Sequence, residues 1–293
     1  MSYEFEIITD SCSSIEEAYA EANGVHVLTL SYILDGVEKP GYAKGQPFDA
    51  KGFYDALRKK IKASTSQVNF DQAYNMIKPL LEAGKDVLYI GFSSGLSGTY
   101  ASVASAMEEL RGEFPDRKIM HEDTLTASVG FGYYLVEKAV EMRAEGKTIE
   151  EAHKFVVDTK MKIDIWATVD DLFHLQRGGR LSAPAAFFGS LLGVKPVITV
   201  NDEGKLIPHS KVRGRGKAID FLADKIKEKA DPNEGQVVWI IHGDALEDAK
   251  TLEQKIRAKC KVADVRYTNL EPVIGTHTGP GVLAVSFLVK KRG

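Results

Sequence analysis

The chain is poor in cysteine: two in 293 residues, Cys12 and Cys260, with no C-x-x-C spacing. That argues against a structural disulfide or a cysteine-ligated zinc site. It has no surplus of basic residues, with 38 Lys and Arg against 41 Asp and Glu and a net charge of -3. A nucleic-acid partner asks for a basic excess. No apolar run approaches the roughly 20 residues of a membrane span. The opening stretch, MSYEFEIITDS, reads at once as a strand rather than a leader peptide, so the expected compartment is the cytoplasm. A G-x-x-x-x-G-K-[ST] loop is also missing, as is any evident carboxylate cluster for Mg²⁺, which argues against a phosphoryl-transfer enzyme. What remains is a chain 44% hydrophobic and long enough for two domains of ordinary size.

Its centre is Val87 to Tyr100, VLYIGFSSGLSGTY. Val87-Leu88-Tyr89-Ile90 is a short β-branched and aromatic run, the mark of a buried strand. Gly91 stops it, small polar residues follow, and Ala101 to Leu110 carries a helical pattern. Strand, small-residue turn and helix aim backbone N–H groups and the positive end of a helix at one point. Such a point takes phosphates and carboxylates. Ser94 and Ser97 add hydroxyl donors, and Gly95 and Gly98 let a ligand approach the backbone. Two other readings fit the same letters. One is a plain helix start capped by serine. The other is the G-x-S-x-G elbow of a serine hydrolase, Gly91-Phe92-Ser93-Ser94-Gly95, with Asp244 as the acid and His277 as the base. No HGGG-type oxyanion segment precedes it, and a hydrolase has no use for Ser97 and Thr99.

Elsewhere strands and helices alternate. Glu4 to Asp10 predicts a strand running through Ser11 to Ser14 into a helix, so a second polar turn lies at a strand's carboxyl end. Val25 to Leu34 reads as one strand, closed by the Asp35-Gly36 turn. Ser64 to Gln67 reads as a polar run ahead of a helix, with Thr65 or Ser66 as its cap or as another wall of an anion pocket. Arg117 to Asp123 is a strand, Ser128 to Glu145 a helix closed by Gly146, and Thr148 with Glu151 a capping box. This alternation implies a parallel sheet covered on both faces.

After Asp158 the style changes. Arg177-Gly178-Gly179-Arg180 makes a turn whose guanidinium groups reach either an anion or nearby carbonyls. Phe187, Phe188, Leu191 and Leu192 suit a core or an apolar cavity. Lys195 to Val200 and Gly204 to Val212 form a hairpin. His277 falls in a stretch that reads as a glycine-rich loop, Pro272 to Gly281, where an imidazole can donate to a ligand. The fold class is α/β in two domains. Residues 1–158 make a three-layer α/β/α unit with a mainly parallel sheet, and 159–293 an α+β unit with a mixed sheet.

Several segments together resemble the DegV family of fatty-acid-binding proteins. They are ITDSCSS near the start, TSQ at Thr65–Gln67, SSGLSGTY at Ser93–Tyr100, QRGGRLS at Gln176–Ser182, LLGVKPVI at Leu191–Ile198, KVRGRGKA at Lys211–Ala218 and THTGPG at Thr276–Gly281. They keep the family's order over nearly the whole chain. The resemblance implies one long-chain fatty acid buried between the two domains, with no cofactor, no metal and no catalysis by this chain. It implies that Thr65, Ser94 or Ser97, and His277 meet the carboxylate. It also implies a partner, a separate fatty-acid kinase, with Arg177 at the handover. Two positions depart from the family's pattern: Val68-Asn69 follows TSQ where Pro-Ser is usual, and Cys12 stands for Thr or Ser. Both leave chain-length preference open. A chain of about 16 carbons offers on the order of 10 kcal/mol of burial before ordering costs. The tail then supplies affinity and the hydroxyls supply orientation.

Overall fold

The computed structural model describes residues 3–126, 130–170, 172–181, 193–232 and 235–292. The first part runs β1 (Phe5–Asp10), α1 (Glu17–Ala22), β2 (Val25–Leu28), β3 (Ser31–Leu34), β4 (Val37–Pro40), α2 (Ala50–Arg58), β5 (Ala63–Ser66), α3 (Phe70–Glu82), β6 (Asp86–Gly91), α4 (Thr99–Glu113), β7 (Ile119–Asp123), α5 (Phe131–Ala144) and α6 (Ile149–Lys160). The second runs β8 (Ile163–Thr168), α7 (Phe173–Gly178), β9 (Val194–Val200), β10 (Leu206–Arg213), α8 (Arg215–Lys229), β11 (Val237–His242), α9 (Leu246–Lys259), β12 (Asp264–Asn269), α10 (Pro272–Thr278) and β13 (Leu283–Leu288).

Three sheets result. Strands β2-β1-β6-β7 pair in parallel throughout. Strands β4-β3-β5 form a small antiparallel sheet. The second part builds the mixed sheet β10-β9-β8-β13-β11-β12, parallel only between β11 and β12. The parallel sheet is buried on both faces, as its apolar strands require. Ile8, Val87 and Tyr89 pack against α3 and α4, while Phe5, Ile7, Leu88 and Ile90 face a core shared with α5 and α6. That second core continues to the mixed sheet, whose far face packs Val238, Ile240, Val285 and Phe287 under α8 and α9. The parallel sheet is therefore the one the alternation implied, and the mixed sheet the one expected of the second part.

Local differences have physical causes. Val25 to Leu34 is two strands in two sheets: β2 ends at Leu28, and the Leu30 N–H is taken by Ser11 Oγ at 3.1 Å rather than by a ladder partner. The Asp35-Gly36 turn is a hairpin turn with φ of 53° and 80°. Thr65 and Ser66 do not cap α3; they lie in β5, paired with β3. The cap is Asn69, in a full capping box with Gln72, which is what the departure after TSQ supplies. Thr148 and Glu151 do form their box. The stretch holding His277 is helical, because Glu271 accepts the N–H groups of Val273 and Ile274 and Pro272 opens the first turn. Phe187, Phe188, Leu191, Leu192 and the predicted helix start at Ser128 lie outside the described residues.

Candidate functional site

A cavity of about 330 Å³ lies between the parallel and mixed sheets. The two sheets reach it differently. The mixed sheet presents its face: Ile198, Ala167, Ala284 and Ile241 are cross-strand neighbours in one row, and all four line the cavity. Small alanines in the middle of that row, flanked by isoleucines, leave a groove. The parallel sheet presents a strand end: Phe92, Leu96 and Ser97 line the cavity from the turn between β6 and α4. Leu30 and the β5 residues Thr65 and Ser66 complete that side.

The polar groups gather at one end. Thr65 Oγ1 and His277 Nε2 are 2.8 Å apart, joining β5 to α10. Ser97, Gln67, Thr278 and Arg180 line the same cavity. Arg180 is its sole Lys or Arg among the described lining residues. It is pinned by Nε donating to Leu96 O at 3.3 Å and by a bond to Gly178 O. Burial holds the His277 imidazole down to about 4, helped by the charges of Arg180 and Arg177 and by His174. His277 is therefore neutral at pH 7. With its proton on Nε2 it donates to Thr65, leaving the Thr65 hydroxyl proton free for an incoming oxygen. Gly178 makes this fit possible: a Cβ there would overlap His277 Nδ1. Outside this end opens a second cleft, about 760 Å³, sharing Thr65, Arg180 and His277 with the cavity. Lys60, Lys62, His174 and Arg177 also line it, and no described lining residue is acidic.

The model of a family described as "Uncharacterised protein, DegV family" matches residues 4–290. The chain belongs to the DegV family. A DegV domain-containing protein of Clostridium perfringens is 40% identical to it over 285 residues, 97% of each chain. A fatty acid binding DegV family protein from Streptococcus agalactiae, solved by crystallography, is 30% identical with a TM-score of 0.86, covering 99% of this chain and 100% of that one. A DegV family protein from Thermus thermophilus, solved in connection with its fatty acid binding, is 26% identical with a TM-score of 0.87, over 98% and 99% of the two chains.

In this DegV chain the structure brings Thr65, Ser97 and His277 to one cavity and leaves Ser94 off it. Ser94 is exposed, and its N–H points to the Asp123 carboxylate at 3.3 Å. The backbone of that turn is not a free anion nest either. Gly95 N–H donates to Ser93 Oγ, Leu96 and Ser97 N–H groups to Ser93 O, and Thr99 N–H to Ser97 Oγ. The N-cap of α4 is Gly98, with no side-chain cap. Hydroxyls, the Gln67 amide, an imidazole and a guanidinium form the polar end, not peptide N–H groups.

The hydrolase reading fails in the same geometry. Ser93 is fully buried and donates to Gly204 O at 2.8 Å, His277 bonds Thr65, and Asp244 pairs with Arg58. No serine–histidine–acid relay exists among them. Arg177 lines the outer cleft, donating to Ala63 O at 3.2 Å.

Two buried acids escaped the sequence reading as site-builders of this DegV fold. Asp10 accepts from Cys12 N–H, Tyr89 Oη and Phe92 N–H at 3.1, 2.9 and 2.7 Å, so it fixes the start of the Phe92–Ser97 turn. Glu271 fixes the start of α10, and with it His277. Burial raises Asp10 to about 6 and Glu271 to about 8. The only signal for either was a carboxylate at a strand or helix boundary, which ordinary caps share. No group of three His, Cys, Asp or Glu fit for a metal occurs among the described residues, and no described helix is long and apolar enough to cross a membrane.

Proposed function

We propose that this DegV protein is a non-catalytic carrier that binds one long-chain fatty acid between its two lobes, residues 1–158 and 159–293, in the cytoplasm. The observation that carries the reading is the segregation of the cavity lining, aliphatic along the row from Ile198 to Ile241 and polar at Thr65, Ser97, His277 and Arg180. That division suits an acyl chain with a carboxylate head. The fatty acid binding described for the Streptococcus agalactiae and Thermus thermophilus relatives supports it. Burying methylenes at roughly 0.8 kcal/mol each gives the affinity. Thr65, Ser97 and neutral His277 orient the carboxylate, and Arg180 offers the opposing charge. Ser94, exposed, is displaced from that role by Ser97.

The outer basic cleft supports a second step, presentation of the head group to a separate fatty-acid kinase. Arg177 stands in this cleft beside Lys60 and Lys62, where an approaching phosphoryl donor meets cations and no acid. Native mass spectrometry of the purified protein, with lipid extraction, tests the carrier reading. A retained species of fatty-acid mass, weakened by Thr65→Ala with Ser97→Ala, is expected. An empty protein that also refuses added fatty acid refutes it. Arg177→Ala is expected to keep the lipid but to lose acyl-phosphate formation when a fatty-acid kinase and ATP are supplied.

A further inference from the structure

The face of the mixed sheet that floors the cavity continues past its aliphatic row. Strand β13 leaves α10, which carries His277, and passes Ala284 before Ser286, so Ser286 lies roughly 7 Å further from the polar end. Ser286 pairs with Ile165 on one side and with Trp239 on the other. Opposed residues in an antiparallel pair share a face, and Ile165 lines the cavity. Ser286 and Trp239 therefore belong to the cavity's face, while their neighbours Val285 and Ile240 belong to the core under α8 and α9.

Ser286 is fully buried and Trp239 is 3% exposed. Neither Ser286 Oγ nor Trp239 Nε1 has a hydrogen-bond partner among the described residues. The next residue in the row does not relieve them: Arg266 is committed to Glu137 through two bonds of 3.0 and 2.8 Å, and its guanidinium lies 5.4 Å from the Trp239 ring centre. The Tyr133 ring closes over the indole at 5.3 Å. Two unpartnered polar groups on neighbouring strands, next in the sheet to the cavity-lining Ile165, are costly unless something satisfies them. Phenylalanine and alanine would occupy the same positions without that cost. An indole N–H donates only, whereas a hydroxyl both donates and accepts. Together they match an oxygen atom that accepts from Trp239 and exchanges a bond with Ser286.

We infer that Ser286 and Trp239 form a distal polar site that receives an oxygen borne on the acyl chain, so that the tunnel selects a hydroxy- or oxo-fatty acid over the unsubstituted chain. The inference rests on the tunnel holding an acyl chain. A site built to bond a substrate hydroxyl rejects the analogue lacking it, because its own buried groups are then left unpaired. The carboxylate at Thr65 and the oxygen at Ser286 then fix the chain at two points and set its register.

The test uses the delipidated full chain and calorimetric affinities for octadecanoic acid and for monohydroxy-octadecanoic acids with the hydroxyl at successive positions along the distal half. One position is expected to bind about tenfold tighter than octadecanoic acid, with the ratio falling to about one in both Ser286→Ala and Trp239→Phe. Octadecanoic acid bound as tightly as every hydroxy acid overturns the inference and spares the carrier reading; a buried water filling the spot gives that result. An advantage that persists in both variants overturns it as well. No binding of any of these acids overturns the carrier reading, and this inference with it.

Discussion

The two large sheets meet the same cavity in opposite ways, the parallel one by its strand ends and the mixed one by its face. A strand end delivers a turn, and turns tolerate serine, threonine and glycine because they carry no ladder. A sheet face delivers every second residue of several strands at once, and next to the strand ends it is a continuous apolar row, Ile198, Ala167, Ala284, Ile241. The difference teaches where chemistry and where capacity reside. Polar identity can change at Ser97 without moving the core, whereas the room in the cavity depends on two alanines held in register by their neighbours.

The sharpest way to break this contrast is to fill the face. Ala284→Leu should block the groove and displace several methylenes of a bound chain. At roughly 0.8 kcal/mol per methylene, losing three or four costs about 3 kcal/mol, a hundredfold in affinity for an acid of about 16 carbons. Shorter acids should lose much less, and lipid extraction should recover shorter chains from the variant. An unchanged chain-length profile would show that the face does not set capacity.

Next in size is a pH effect at the second lobe's polar end. Glu271 is raised from 4.5 to about 8 by burial. Between those values the folded state holds a proton that the unfolded state has lost, so stability is full below about 4.5 and falls as pH rises towards 8. Asp10, raised from 3.8 to about 6, acts in the same direction only below 6. His277, lowered from 6.5 to about 4, acts oppositely and only below 6.5. Between pH 6.5 and 8, Glu271 therefore acts alone of the three. Chemical denaturation across that window should show falling stability in the native protein and a flatter profile in Glu271→Gln, which mimics the protonated acid. Equal slopes would remove Glu271 as the cause.

Smaller effects separate the strand-end groups from one another. Gly178→Ala should push the His277 ring off Thr65 and weaken fatty-acid binding about tenfold, close to one lost hydrogen bond to a charged group. In a His277→Ala background the same change should cost little. Equal costs in both backgrounds would mean that Gly178 serves only the fold. Smallest of all is Ser94→Ala, expected to change affinity less than twofold, against about tenfold for Ser97→Ala. A reversal of that order would return Ser94 to the cradle.

Much of this was legible from residue order. The β6 strand, the capping box at Thr148, the Asp35-Gly36 turn and the β9–β10 hairpin each follow from local rules, and the structure bears them out. What local rules missed was set by distant partners. Ser64 to Ser66 has little strand character, yet β3 supplies a ladder for it. His277 is helical because a buried Glu271 caps its helix, and no spacing announces that a carboxylate will be buried. The cavity row itself was hidden because VVWIIH and LAVSFL are almost wholly apolar on both faces, so periodicity gives no clue to which residues meet the core and which meet the cavity.

The Ser93 hydroxyl holds the carbonyl of Gly204, the tip of the hairpin on the opposite lobe, and at Gly204 a side chain would overlap that same oxygen. Exposing Ser93 therefore requires this hairpin tip to leave the turn between β6 and α4. A cysteine placed there by Ser93→Cys acts as a chemical stopwatch: the rate at which a thiol reagent labels it counts how often this contact opens, and a bound ligand that clamps the contact should slow the count.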